Sequence, residues 1–251
     1  MKYNWNWGIF WQLSPDGRGT YLDTLIAGLG WTLATALSAW VIALILGMIV
    51  GVIRTTPVRG LRILGDAWVE IFRNVPLLVQ MFLWFFVVPE LLPPAVGTWL
   101  KQLPRSAFYT AVVCLGLYTS ARVAEQTRAG IESLARGQRM AGIALGLTLP
   151  QTYRFVLLPM ALRIVMPPLT SEFLNVIKNS AVALTIGLVE LTASARSIQE
   201  FSFQVFEAFT AATLIYMVLN LLVVTGMRWL EKRVAIPGLI GGGAAMPQAG
   251  H

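Results

Sequence analysis

The chain has 251 residues, 56% of them hydrophobic and only 12% charged, with a mean hydropathy of +0.67. A soluble domain carries roughly 25% charged residues, so this composition is that of an integral membrane protein. The formal net charge of +7 then bears on membrane orientation rather than on nucleic acid, because what matters is where the cations sit.

The sequence begins with a polar and aromatic segment over residues 1–22, with Trp5, Trp7, Trp11 and Tyr21, residue types that favour the membrane interface. No cleavable signal peptide is expected, since no apolar stretch precedes Gly8. A first apolar run, about 25–53, is long enough to cross a bilayer with tilt. Arg54, Pro57, Arg59 and Arg62 end it. Further spans are expected over about 69–88, 107–124, 157–184 and 209–229. Pro159, Pro167 and Pro168 interrupt the fourth. A shorter stretch over 185–191 reads as re-entrant or interfacial, and a Gly-rich tail over 234–251, ending in His251, reads as flexible.

Between the third and fourth spans lies a different kind of segment. From Gly137 to Leu149, Met140, Ile143, Ala144 and Leu147 fall at i, i+3, i+4 and i+7, one face of an amphipathic helix. About 20 apolar residues are needed to cross a bilayer core, and this segment is too short. Gly142 and Gly146 are four apart, a spacing that lets another backbone approach closely. From spacing alone the helix either lies in the headgroups or is gripped by a partner.

Five spans put the termini on opposite sides. Twelve of the 19 Lys and Arg residues follow the first span, surround the amphipathic segment or follow the fifth span, whereas five lie on the other side. Arg73 and Lys178 fall within spans. The positive-inside rule therefore puts the N-terminus outside and the amphipathic segment and C-terminus in the cytoplasm.

The chemistry the chain could carry is limited. No Gly-x-x-x-x-Gly-Lys-Ser/Thr run exists, so ATP, if it drives this protein, binds to another subunit. With one Cys (Cys114) and one terminal His, neither a metal cluster nor an activated serine is expected. The chain is thus expected to be no enzyme and to hold no cofactor of its own.

Ionisable groups at membrane depth remain: Arg73, Glu172 and Lys178. Such groups are costly in hydrocarbon and face a cavity, a partner or a substrate route. Lys178 either snorkels, or pairs with another helix, or lines the passage and attracts an anion. Six residues, about 600° of helix rotation, keep it away from Glu172. Asn175 and Asn179 share a face, and with Ser180 they complete the polar set on that span. Glu172 is read as structural, gating, or a partner for a substrate amino group. Arg73 and Asn74, next to Pro76, either anchor the positive side or line the path. Arg122, Glu125 and Arg128, at three-residue steps, are expected to form an ion pair at a helix end.

Gly137, Ala141 and Gly146, with Leu158 and Pro159, resemble the cytoplasmic loop of ABC-importer permeases, Glu-Ala-Ala, three residues, Gly, then Leu-Pro. Met140 stands where that family has Glu, and Gly142 where it has its second Ala. The runs Phe72–Gln80 and Ser171–Ser180, with Thr185–Leu188, resemble polar amino acid permeases, and taken with Trp5–Phe10 and Pro89–Pro93 they resemble those of glutamate/aspartate importers. The resemblance implies an all-α type I importer fold with a five-helix core and a cytoplasmic coupling helix over about 137–149. It further implies a bacterial inner-membrane location, separate ABC ATPase subunits, a second related permease and a periplasmic amino acid-binding protein. A self-sufficient secondary transporter or channel is the alternative, but five spans around one loop do not divide into repeated halves.

Overall fold

The computed structural model describes residues 3–15, 17 and 19–234. The tail expected over 234–251 lies, apart from Val234, outside these residues, as does His251. Among the described residues all regular structure is helical, save an isolated bridge between Leu13 and Thr20.

Helix α1 (Tyr21–Thr55) starts in a capping box, the Thr20 amide donating to Asp23 and the Asp23 amide to the Thr20 hydroxyl. It ends where Thr56 turns extended before Pro57. Helix α2 (Arg59–Asn74) follows and then α3 (Leu77–Leu91), bent by 100° from α2. The single span expected over 69–88 is therefore split. Pro76 has no amide to continue the helix, and the residue before it, Val75, is held extended at φ −97°, ψ 129°. A π-turn over Leu83–Val87 lies just before Pro89, and a short helix α4 (Pro94–Gln102) folds back beside it.

Helix α5 (Ser106–Glu132) runs well past the limit of 124 expected from hydropathy. It packs along α1 at short range. A Cβ on Gly47 would fall 2.5 Å from the Val123 Cβ, and one on Gly51 2.6 Å from that of Thr127, so small residues set the spacing of this pair. Ala36, Ala39 and Ala43 on α1 are fully buried.

Helix α6 (Arg136–Ala144) is shorter than the 137–149 expected. Gly146 adopts φ +81°; its amide donates to the Ile143 carbonyl and the Leu147 amide to that of Gly142. This is a Schellman stop, which needs a left-handed residue and here uses glycine.

Helix α7 (Leu149–Ile186) carries Pro150 in its first turn and is continuous despite three more prolines further in. A π-turn over Tyr153–Leu157 precedes Pro159, and Pro167 and Pro168 only remove the bonds that would end on the Arg163 and Ile164 carbonyls. Its last turns, Ser180–Ile186, tighten to a 3-10 helix and stop at Gly187. The stretch expected to be re-entrant over 185–191 is instead this turn plus the start of helix α8 (Leu191–Ser202), which the hydropathy reading missed. Helix α9 (Val205–Val234) closes the fold. The main core joins α1, α3, α5 and α7 through Ala39, Met81, Cys114, Leu115, Val176 and Ile177. Four helices are long and apolar enough to cross a bilayer, and the bent pair α2–α3 makes a fifth if taken together.

Candidate functional site

Two regions could carry function, and α7 connects them. The first is α6 and its surroundings, at the end of the molecule that also holds Arg54, Arg62 and Arg128. Gly142 is buried against the foot of α7, where an added Cβ would come 2.9 Å from the Thr152 Cγ2. The opposite side is uncovered: Met140 is 70% exposed, and Ile143 and Leu145 are exposed too. Gly137 and Ala141 are also exposed, as is Pro159 at the start of the main part of α7. Gly146 has open space around it within this chain and makes the left-handed stop of α6. Of the face read from the sequence, Leu147 lies beyond the helix end.

The second region is the outer stripe of α7. Pro167, Ser171 and Lys178 are exposed along it, with Asn175 and Asn179 half-buried. The Lys178 side chain makes no ion pair or hydrogen bond among the described residues. Glu172 points elsewhere, buried, with one oxygen 3.9 Å from the Arg122 guanidinium and the other without a hydrogen-bond partner. The Arg122 guanidinium also lies over the Tyr118 ring at 5.2 Å. Ser180 is not on the stripe; it is fully buried and donates to the Ile177 carbonyl at 2.7 Å.

Arg73 and Asn74 belong to neither region. They end α2 at the surface, where Arg73 lies 3.7 Å from Glu125 and Asn74 donates to Glu70 in its own last turn. The expected ion pair of Arg122, Glu125 and Arg128 does not form as such. Glu125 pairs with Arg54 at 2.8 Å on α1, Arg128 with Glu132 at 2.8 Å, and Arg122 with Glu172. Arg54 and Glu172 on neighbouring helices take up Glu125 and Arg122, and Arg128 turns to Glu132 one turn further along α5.

Sequence reasoning missed four buried polar residues that tie elements together. Arg54 joins Asp66 and Glu125 at 2.7 and 2.8 Å. Gln80, 5% exposed, donates to the Phe72 and Val75 carbonyls at 2.9 Å and so clamps the break at Pro76. Glu190, fully buried, caps α8 through the Thr192 and Ala193 amides and accepts from the Tyr216 hydroxyl at 2.9 Å. An acidic residue just before a helix after a Gly turn is the one signal that could have disclosed Glu190. Opposite the basic end, Glu207 is likewise buried and receives the Tyr3 hydroxyl and the Asn6 amide, tying the N-terminal segment to α9.

The architecture and the sequence both have relatives. The family described as "Binding-protein-dependent transport system inner membrane component" matches residues 43–236. The chain is 49% identical over 245 residues to the glutamate/aspartate import permease protein GltJ of Escherichia coli strain K12, covering 96% of this chain and all of that one. It is 34% identical to the probable glutamine ABC transporter permease protein GlnM of Bacillus subtilis strain 168, over 87% of this chain and 95% of the relative. Among solved structures, a chain from an amino acid ABC transporter crystallised with histidines superposes with a TM-score of 0.72 at 30% identity, covering 85% of this chain and 95% of that one. A chain of the inward-facing MetNI methionine ABC transporter shares the fold, with a TM-score of 0.72 at 22% identity over 86% of this chain and 98% of its own. The chain belongs to the family of inner membrane components of binding-protein-dependent transport systems.

Proposed function

We propose that this chain is the permease subunit of an ABC importer that moves acidic amino acids, glutamate or aspartate, from periplasm to cytoplasm by alternating access. The observation that carries the reading is α6: a nine-residue helix with Met140, Ile143 and Leu145 uncovered on one side and Gly142 against Thr152 on the other. Such a helix is a handle. An ATPase subunit docks on the exposed side, where Gly137, Met140 and Ala141 lie. A pull on α6 reaches α7 through Gly142 and Thr152, and α7 is one continuous element up to Lys178. ATP-driven closure of the ATPases thereby shifts the population of outward and inward states as a rigid-body change.

The basic end faces the cytoplasm and the Tyr3–Glu207 end the periplasm, where the binding protein delivers its load. ATP is bound by the ATPases, and this chain needs no cofactor. A second, related permease covers the outer stripe of α7. Lys178, unpaired on that stripe between Asn175 and Asn179, attracts the substrate carboxylate. The 49% identity to a glutamate/aspartate permease supports the acidic substrate.

The test is uptake of labelled glutamate by proteoliposomes holding the permease pair, with and without ATPase subunits. Uptake is expected only with the ATPase and ATP; uptake without them would establish the secondary-transporter alternative. A charge-assisted hydrogen bond contributes about 1.5–3 kcal/mol, so Lys178→Met is expected to lower glutamate uptake about tenfold or more while stimulated ATP hydrolysis persists. Unchanged uptake would remove Lys178 from the path.

A further inference from the structure

An apolar groove of about 370 Å³ runs between α1, α5 and the foot of α7, lined by Met48, Ile49, Val52, Leu158, Leu162 and Val165 among others. At the basic end lies a cleft of about 250 Å³ with Arg54, Arg62, Arg128 and Arg139 in its walls and one carboxylate, Glu132. The two are stacked on one support. Ile131, Tyr153, Leu157 and Ala161 form a single buried cluster with Val52 and Leu158 packed on it; Ala161, Val52 and Leu158 line the groove, the other three the cleft.

Two of the four arginines are already committed. Arg54 is bound to Asp66 and Glu125, and Arg128 to Glu132 at 2.8 Å and Asp66 at 3.8 Å. The guanidinium groups of Arg62 and Arg139 make no ion pair or hydrogen bond among the described residues. Thr127, which lines the groove one residue before Arg128, is 2% exposed and its hydroxyl has no partner. Its oxygen is shut off from the groove, so the wall that the groove presents there is apolar.

From groove to cleft the order is apolar wall, then free guanidinium groups. That is the order of groups along a phospholipid, acyl chain first and phosphate last. We propose that this place binds one anionic phospholipid, its acyl chain in the groove and its phosphate between Arg62 and Arg139. The chain spans a membrane, so the groove opens on acyl chains. A zwitterionic headgroup would bring its own cation beside four arginines, which is why the occupant is anionic. Glu132 is neutralised by Arg128 and does not repel it.

Native mass spectrometry of the full detergent-solubilised transporter, titrated with phosphatidylglycerol or phosphatidylcholine, tests this. Phosphatidylglycerol is expected to be retained in preference. Each arginine near an anionic lipid contributes about fivefold, so the double variant Arg62→Gln, Arg139→Gln is expected to bind about 25-fold more weakly. Neither arginine has a partner to lose, so the fold is kept. Ile49→Trp, which fills the groove from an exposed position, is expected to weaken retention without touching the charges, and millimolar inorganic phosphate is expected not to displace the lipid. Equal retention by either variant, or displacement by inorganic phosphate, overturns the proposal.

Discussion

Arg54 sits at 7% exposure with its guanidinium divided between two carboxylates, Nε to Asp66 and Nη1 to Glu125. One side chain thus holds α1 to both α2 and α5, and Gly65 leaves the room for its stem, since a Cβ there would lie 2.6 Å from the Arg54 Cγ. Removing one member of a buried ion pair costs about 3–5 kcal/mol. The two carboxylates are partly exposed, so Arg54→Met is expected to cost about 2 kcal/mol and lower the thermal midpoint of the purified chain by about 6 °C. Arg54→Lys should not restore it, because one ammonium cannot serve both carboxylates as a fork does. An unchanged midpoint would mean that the network orients the helices without stabilising them. Polar residues of this kind show why the site was only partly legible. The sequence places Ser180, Asn74, Asn175 and Lys178 on helices but cannot say which polar group will find an acceptor nearby. Ser180 and Asn74 are used up by their own helices, whereas Lys178 is left free.

At the scale of elements, hydropathy located the long helices and proline placement decided their shape. Pro76 follows an extended residue and turns the chain by 100°, while Pro159 is absorbed by a π-turn and Pro167–Pro168 by a helix with packed neighbours. The same residue type broke one helix and spared another, and composition does not distinguish them. Gln80 supplies the difference at Pro76 by donating to carbonyls on the far side of the break. Gln80→Met is expected to cost about 1–3 kcal/mol through the two lost bonds and to speed limited trypsin cleavage after the exposed Arg73. An unaltered cleavage rate would show that Pro76 alone fixes the bend. The contact between α6 and α7 makes a second test. Gly142→Val should push Thr152 away and uncouple ATP hydrolysis from uptake, and Thr152→Ala should restore part of the loss in the double variant. Additive defects would mean that the two residues do not act through each other.

For the whole molecule the proposed function requires one arrangement: basic end and α6 together in the cytoplasm, N-terminal segment outside. The orientation proposed rests on the distribution of charge among connecting segments, whereas the stop at Gly146 and the helix after Gly187 depend on single backbone angles that hydropathy does not register. The arrangement can be tested cleanly because the chain's single cysteine, Cys114, is fully buried and silent to aqueous reagents. In intact spheroplasts, a membrane-impermeant maleimide is expected to label Trp5→Cys and to reach Ala141→Cys only after the membrane is opened. In opened membranes, the assembled ATPase should then protect Ala141→Cys and leave Trp5→Cys reactive. Protection fixes both the side on which α6 lies and the surface it offers. Labelling of Ala141→Cys from outside would place the handle where no ATPase could grip it.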